Sequence, residues 1–174
     1  MGSNLTASSL RKQLTTATKE QLIEEVIELF TKFDVVQKHF ALKLKSDTQT
    51  EILADYKARL SKAMLPKSDW SEPKVSEARR IINEFQKVAR SPSAVADLML
   101  FYVECGIKFL NDLGDYKASF YDSLERMFEA ALKLARKNGM EAEFKDRCEE
   151  IVAKSSDMGY GLGDALQILL DEYF

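Results

Sequence analysis

The chain has 174 residues, 45% of them hydrophobic and 30% charged, as expected for one globular domain with a sizeable core. Its formal net charge of −3 excludes attraction to nucleic acid or membranes through overall positive charge. Only 7 glycines and 3 prolines occur, and no stretch shows the alternation typical of strands, so the composition predicts an all-α fold without a β-sheet.

The N-terminal residues 1–17 form a polar arm, either disordered or a short helix, and residues 18–174 form a single all-helical domain. No apolar leader follows the N-terminus, and the apolar run at 98–103 is too short to span a bilayer. The two cysteines lack the spacing of a disulfide framework or a metal site, which fits a reducing compartment. We therefore expect a cytoplasmic protein without membrane contact.

Capping patterns mark the first helices of the domain. Thr18-Lys-Glu-Gln21 predicts the start of an amphipathic helix, and Asp34 resembles a second cap that starts a short helix ending near residue 44. Thr48-Gln-Thr-Glu51 predicts a third helix, which must end near Pro66. A fourth helix follows at 75–90.

The loop at 66–73 holds Trp70, the only tryptophan. Two interpretations are open for this side chain. It either folds back as a lid on the core, which we favour, or anchors a partner protein as part of an interaction surface.

The central stretch from Ser91 to Gly139 predicts two long helices joined by a tight turn at Gly114. The first of them is apolar around most of its circumference, so we expect it to lie inside the fold. Its expected fully buried residues are Leu98, Tyr102 and Phe109. Its charges form one narrow stripe, made of Asp97, Glu104, Lys108 and Asp112.

Phe101 is the one large apolar residue inside that charged stripe. Either another helix covers it, for which the terminal segment 165–174 is the candidate, or it stands partly exposed as an anchor for a partner. Phe101 and Trp70 are therefore the candidate interaction residues.

A glycine-rich turn precedes the last helix, which is predicted at 165–174 with Asp164 as its cap. Gly159, Gly161 and Gly163 alternate in this turn. They either allow a sharp, closely packed turn, which we favour, or present backbone N–H groups to an anion. A phosphate-binding P-loop requires a strand before the turn and a lysine after it, and this sequence has neither.

Residues for catalysis or metal binding are scarce. His39 is the only histidine, and Glu25-x-x-Glu28 supplies only half of a carboxylate site for Mg²⁺. We therefore predict no catalytic residue, no metal and no cofactor.

The central hairpin is similar to a tetratricopeptide repeat, with Gly106 at the glycine position of its first helix and Gly114-Asp115-Tyr116 at its turn. The spacing departs from that repeat by one residue in each helix, and no second copy is visible. This resemblance implies a helical hairpin.

From about residue 10 to its end, the chain resembles a bacterial family catalogued only as a domain of unknown function. The likeness is carried by Thr18-Lys-Glu-Gln-Leu-Ile, Ala96-Asp-Leu-Met-Leu-Phe-Tyr-Val-Glu104, Lys145-Asp-Arg147 and the turn at 159–161. The resemblance implies no activity.

We predict seven to eight helices in antiparallel hairpins, packed as a compact or slightly superhelical array. The expected function is a non-catalytic cytosolic interaction module that binds a protein partner or associates with itself. One alternative is nucleic-acid association through the first half, where residues 1–90 carry 16 basic and 12 acidic side chains. The other is a metal-dependent enzyme with carboxylates on its helices.

Overall fold

The computed structural model describes residues 6–44, 48–65, 72–89 and 91–174. These residues form nine α-helices and no strand, which confirms the all-α fold class and adds one helix to the predicted seven to eight. The helices are α1 (Ala7–Leu14), α2 (Lys19–Lys32), α3 (Asp34–Leu44), α4 (Thr48–Met64), α5 (Val75–Val88), α6 (Pro92–Leu113), α7 (Ala118–Lys137), α8 (Glu141–Ser155) and α9 (Leu162–Tyr173).

Helix α6 is the centre of the fold and packs against α4, α5, α7 and α8. Leu98, Tyr102 and Phe109 are buried, as the apolar character of this helix predicted. The closest pairing is with α7, where Gly106 faces Leu124. A Cβ atom on Gly106 would lie 2.2 Å from Leu124 Cδ2, so the absence of a side chain allows the two helices to approach.

The boundaries of α6 and α7 follow the predicted signals. Ser91 Oγ accepts a hydrogen bond from Ala94 N at 3.4 Å, and Pro92 is the first residue of α6. Gly114 and Gly139 end the two helices with φ of 92° and 65°, since positive φ cannot continue a right-handed helix. Glycine occupies both positions because residues with side chains rarely adopt positive φ.

The start of the last helix differs from the prediction. Helix α9 begins at Leu162, three residues before the predicted position, since Gly161 adopts a left-handed conformation (φ 68°) that ends the preceding turn. Asp164 therefore lies in the first turn of α9 and makes no cap hydrogen bond there.

Helix α2 begins at the predicted capping box. Thr18 Oγ1 accepts from Gln21 N at 3.2 Å, and Gln21 Oε1 accepts from Thr18 N at 2.9 Å. Although its ends are specified in this way, no residue of α2 is buried. Its apolar side chains contact α3 through the edge-on ring pair of Phe30 and Phe40, whose centroids are 6.2 Å apart.

Candidate functional site

Helices α5 and α7 stand on either side of α6 and leave an open groove between them, here called the α5–α7 groove. It consists of an apolar part of about 550 Å³ and a polar end of about 280 Å³, which share Gln86, Met99 and Ala130. Val95 and Met99 of α6 form the floor. The α5 wall includes Arg79, Ile82, Asn83 and Gln86. The α7 wall includes Ser123, Arg126, Ala130, Lys133, Leu134 and Lys137.

The groove carries one sign of charge. Arg79 and Arg126 line its polar end and Lys133 and Lys137 its apolar part, whereas no aspartate or glutamate of the described residues lines it. Cations beside an apolar floor favour an occupant that has an apolar face and negative charge.

A hydrogen-bond network with two buried hydroxyl groups holds Arg79 at the polar end. Arg79 Nη2 donates to Ser123 Oγ at 2.9 Å, and this hydroxyl lies 2.5 Å from the hydroxyl of Tyr102. Ser123 and Tyr102 are both buried. Burial raises the pKa of Tyr102, so the phenol stays neutral and no buried anion compensates the guanidinium.

The two arginines of the polar end have no carboxylate partner among the described residues. Within the described ranges, neither Arg79 nor Arg126 forms an ion pair, although Asp122 stands four residues before Arg126. Lys133, by contrast, pairs with Glu129, Nζ to Oε1 at 2.6 Å. The polar end therefore concentrates uncompensated positive charge.

The charged stripe of α6 has a different role. Arg147 of α8 pairs with Glu104 and with Asp97, and Lys57 Nζ of α4 lies 2.8 Å from Asp97 Oδ2. Burial opposes the charge on Arg147, but its hydrogen bonds to Glu104 and Asp97 outweigh burial and raise its pKa. These half-buried ion pairs join α4, α6 and α8 and leave Arg147 no charge for a ligand.

Phe101 lies between these charged residues. It is half-buried and packs against the core, with Lys57 Nζ 5.4 Å from the centroid of its ring. The ring thus lies beneath α4, whereas sequence analysis named the terminal helix as its cover. Phe101 is therefore partly buried beside this ion-pair network.

The glycine turn has a steric explanation at each position. A Cβ atom on Gly159 would lie 2.9 Å from Asp115 Oδ1, one on Gly163 would lie 2.8 Å from the carbonyl oxygen of Ser155, and Gly161 has positive φ. Tyr160, with φ 55°, packs against Tyr121 with the ring centroids 4.8 Å apart and the ring planes tilted by 44°. This geometry favours the structural interpretation of the turn.

Asp164 lines a second groove, about 730 Å³ in volume, between α8 and α9. Glu149 and Asp171 line it too, with Lys145 as the one cation of that lining. Three carboxylates disfavour an anion beside the glycine turn.

The remaining predictions on sites meet few observations. Trp70 lies outside the described residues. In the described parts of the chain, no three His, Cys, Asp or Glu side chains converge as metal ligands. Nor does any helix there combine the length and apolar character that crossing a membrane requires.

Sequence reasoning missed the groove because its residues belong to helices 40 positions apart and converge only by packing. Arg126 and Lys133 lie opposite the apolar stripe of α7, a pattern that is also typical of a solvated helix face. One signal was available: Arg79, Asn83 and Gln86 repeat at i, i+4 and i+7, a polar stripe beside the apolar face of α5.

The model of a family of unknown function, DUF6155, matches residues 5–170, and the chain belongs to this family. No curated protein and no solved structure matches the chain. The likeness of the α6–α7 hairpin to a tetratricopeptide repeat gains no support from these comparisons.

Proposed function

We propose that the protein is a non-catalytic, cytoplasmic interaction module whose α5–α7 groove binds an acidic amphipathic helix. The observation that carries this proposal is the combination of an apolar floor with cations on both walls and no carboxylate among the described lining residues. An amphipathic helix in a groove buries its apolar side and leaves its flanking charges at the rim.

The size of the groove supports the same occupant. The α7 wall runs from Ser123 to Lys137, which at about 1.5 Å per residue gives roughly 21 Å. This length accommodates about four helical turns, enough for anchors at i, i+4, i+7 and i+11.

Nucleic-acid association has weaker support, because many cations of the first half are already paired. Lys38 pairs with Asp34 and Asp55, and Arg59 pairs with Glu84, Nη2 to Oε2 at 2.8 Å. Such pairs reduce the positive charge available for phosphates.

Fluorescence anisotropy with a labelled, acidic amphipathic helical peptide tests the proposal. We expect binding that weakens as salt is raised, and loss of binding in Arg126→Glu/Lys137→Glu. Lys154→Glu on α8, outside the groove, is the control that changes charge without changing binding. Equal binding of a peptide whose glutamates are replaced by lysine, or an unaffected groove variant, would overturn the proposal.

A further inference from the structure

Helix α2 has the chemistry that the α5–α7 groove requires. On a helical projection with 100° per residue, the apolar residues of α2 cover an arc of about 160°. These residues are Leu22, Ile23, Val26, Ile27, Leu29 and Phe30. The opposite arc carries Glu20, Glu24, Glu25 and Glu28. With Lys19 and Lys32, the helix has a formal charge of −2.

The described residues cover the apolar face of α2 only in part. Ile27 is 58% exposed, and Phe33, which joins α2 to α3, is 53% exposed. At roughly 180 Å² for a fully exposed large side chain, the exposed apolar residues from Ile23 to Val35 leave about 600 Å² in water. This area is at the upper end of the largest exposed apolar patches of monomeric proteins. It is also most of the ~800 Å² that each partner contributes to a standard interface.

We infer that α2 of one copy docks in the α5–α7 groove of a second copy, an inference that rests on the proposed function of the groove. Three matches support this occupant: an apolar face against an apolar floor, acidic against basic side chains, and length. The 14 residues of α2 span about 21 Å, as does the α7 wall.

Reciprocal docking leaves neither surface unpaired. Each copy supplies one α2 and one groove, so the α2 of each copy can dock in the groove of the other and close a dimer. Within its own chain α2 packs against α3, which in turn packs against α4 and α5. Docking in the second copy therefore uses the face of α2 that α3 leaves exposed.

Sedimentation equilibrium of the full-length chain over a range of concentrations tests this inference. We expect a concentration-dependent dimer that weakens with salt. Glu24→Lys/Glu25→Lys, which keeps the first-turn Glu20 and the Glu28–Lys32 ion pair, should weaken it by on the order of tenfold or more. Arg126→Glu/Lys137→Glu should do the same, and Lys154→Glu should not.

Mixing the two reversed chains gives the decisive measurement. Each alone opposes like charges, whereas an equimolar mixture restores one native and one reversed α2–groove contact, so a heterodimer should form. Placing all four substitutions in one chain should restore its self-association. Unchanged far-UV circular dichroism confirms that each variant is folded.

The outcomes separate the inference from the proposed function. A dimer that the groove substitutions leave intact but Ile23→Ser/Ile27→Ser abolishes would mean that α2 pairs with α2, which overturns the inference. A chain that remains monomeric while the groove binds an acidic peptide also overturns it and leaves the proposed function standing. A groove that binds neither an acidic peptide nor α2 of a second copy overturns both the inference and the proposed function.

Discussion

Arg147 of α8 donates two parallel hydrogen bonds to Glu104 of α6, from Nε to Oε1 at 2.6 Å and from Nη2 to Oε2 at 2.9 Å. The same guanidinium pairs with Asp97, which also forms an ion pair with Lys57 of α4. A planar guanidinium suits this bidentate geometry, and a lysine would not reproduce it. The network therefore sets how α8 is placed against the central helix.

Arg147→Met keeps an unbranched apolar stem of similar size but removes the guanidinium with its charge and donors. Glu104 would lose its partner in a half-buried site, so we expect the free energy of unfolding to fall by about 2–3 kcal/mol, measured by urea denaturation. Arg80→Met is the matched control. The Arg80 side chain is 69% exposed, and its Nε lies 3.8 Å from Glu84 Oε1, so this variant should lose less than about 1 kcal/mol of unfolding free energy. Equal losses in the two variants would contradict a structural role for the network.

Gly106→Ala tests the close approach of α6 and α7. In an open helix this change stabilises by up to about 1 kcal/mol, but here the new Cβ would overlap Leu124 Cδ2 and Cδ1 at 2.2 and 2.9 Å. We expect a net destabilisation of about 1–3 kcal/mol in thermal or urea unfolding. Adding Leu124→Ala should make the effect of Gly106→Ala smaller or reverse it, and independent, additive losses would show that the two residues do not meet.

Phe101→Ser separates the two interpretations of this ring. Because Phe101 packs against the core and lies beneath Lys57, we expect a loss of about 2 kcal/mol, less than for a fully buried phenylalanine. Self-association should not change, whereas Phe101→Leu should retain most of the stability. Unchanged stability together with weaker association would identify Phe101 as an interaction anchor after all.

Gly161→Ala tests the glycine turn. Nothing lies within 4 Å of a Cβ atom at this position, but its φ of 68° strains a residue with a side chain. We expect a loss of about 1 kcal/mol in thermal unfolding, and a smaller loss in Gly161→Asn, since asparagine tolerates the left-handed region. A variant with full stability that loses affinity for inorganic phosphate would instead favour the anion-binding interpretation.

Two thiols predict an alkaline transition. Burial raises the pKa of Cys105 and of Cys148 from the ordinary 9.0 to about 12. Both thiols stay protonated in the folded chain while they ionise in the unfolded one, so stability is unaffected below pH 9.0 and falls as the pH approaches 12. Urea unfolding across this range should show a smaller decline in Cys105→Ala/Cys148→Ala. An identical decline would place the titrating groups elsewhere.

Local signals in the sequence determined the helices of this protein. The capping box at Thr18, the Ser91–Pro92 start and the stop at Gly139 each act within a few residues, since capping and positive φ depend on neighbours in the chain. The burial of α6 was predictable for a related reason. A helix that is apolar nearly all round can only lie inside.

Long-range packing decided what the sequence left open. The charges of α6 form a narrow stripe in the sequence, but periodicity cannot show which helices cover them. Only the positions of α4 and α8 make Asp97 and Glu104 half-buried ion-pair partners. The α5–α7 groove arises in the same way: Arg79 and Arg126 are 47 positions apart, and Arg79 meets Ser123 of α7 only because α5 and α7 pack around α6. Helix periodicity specifies which side of a helix is apolar, whereas a binding surface depends on which helices become neighbours.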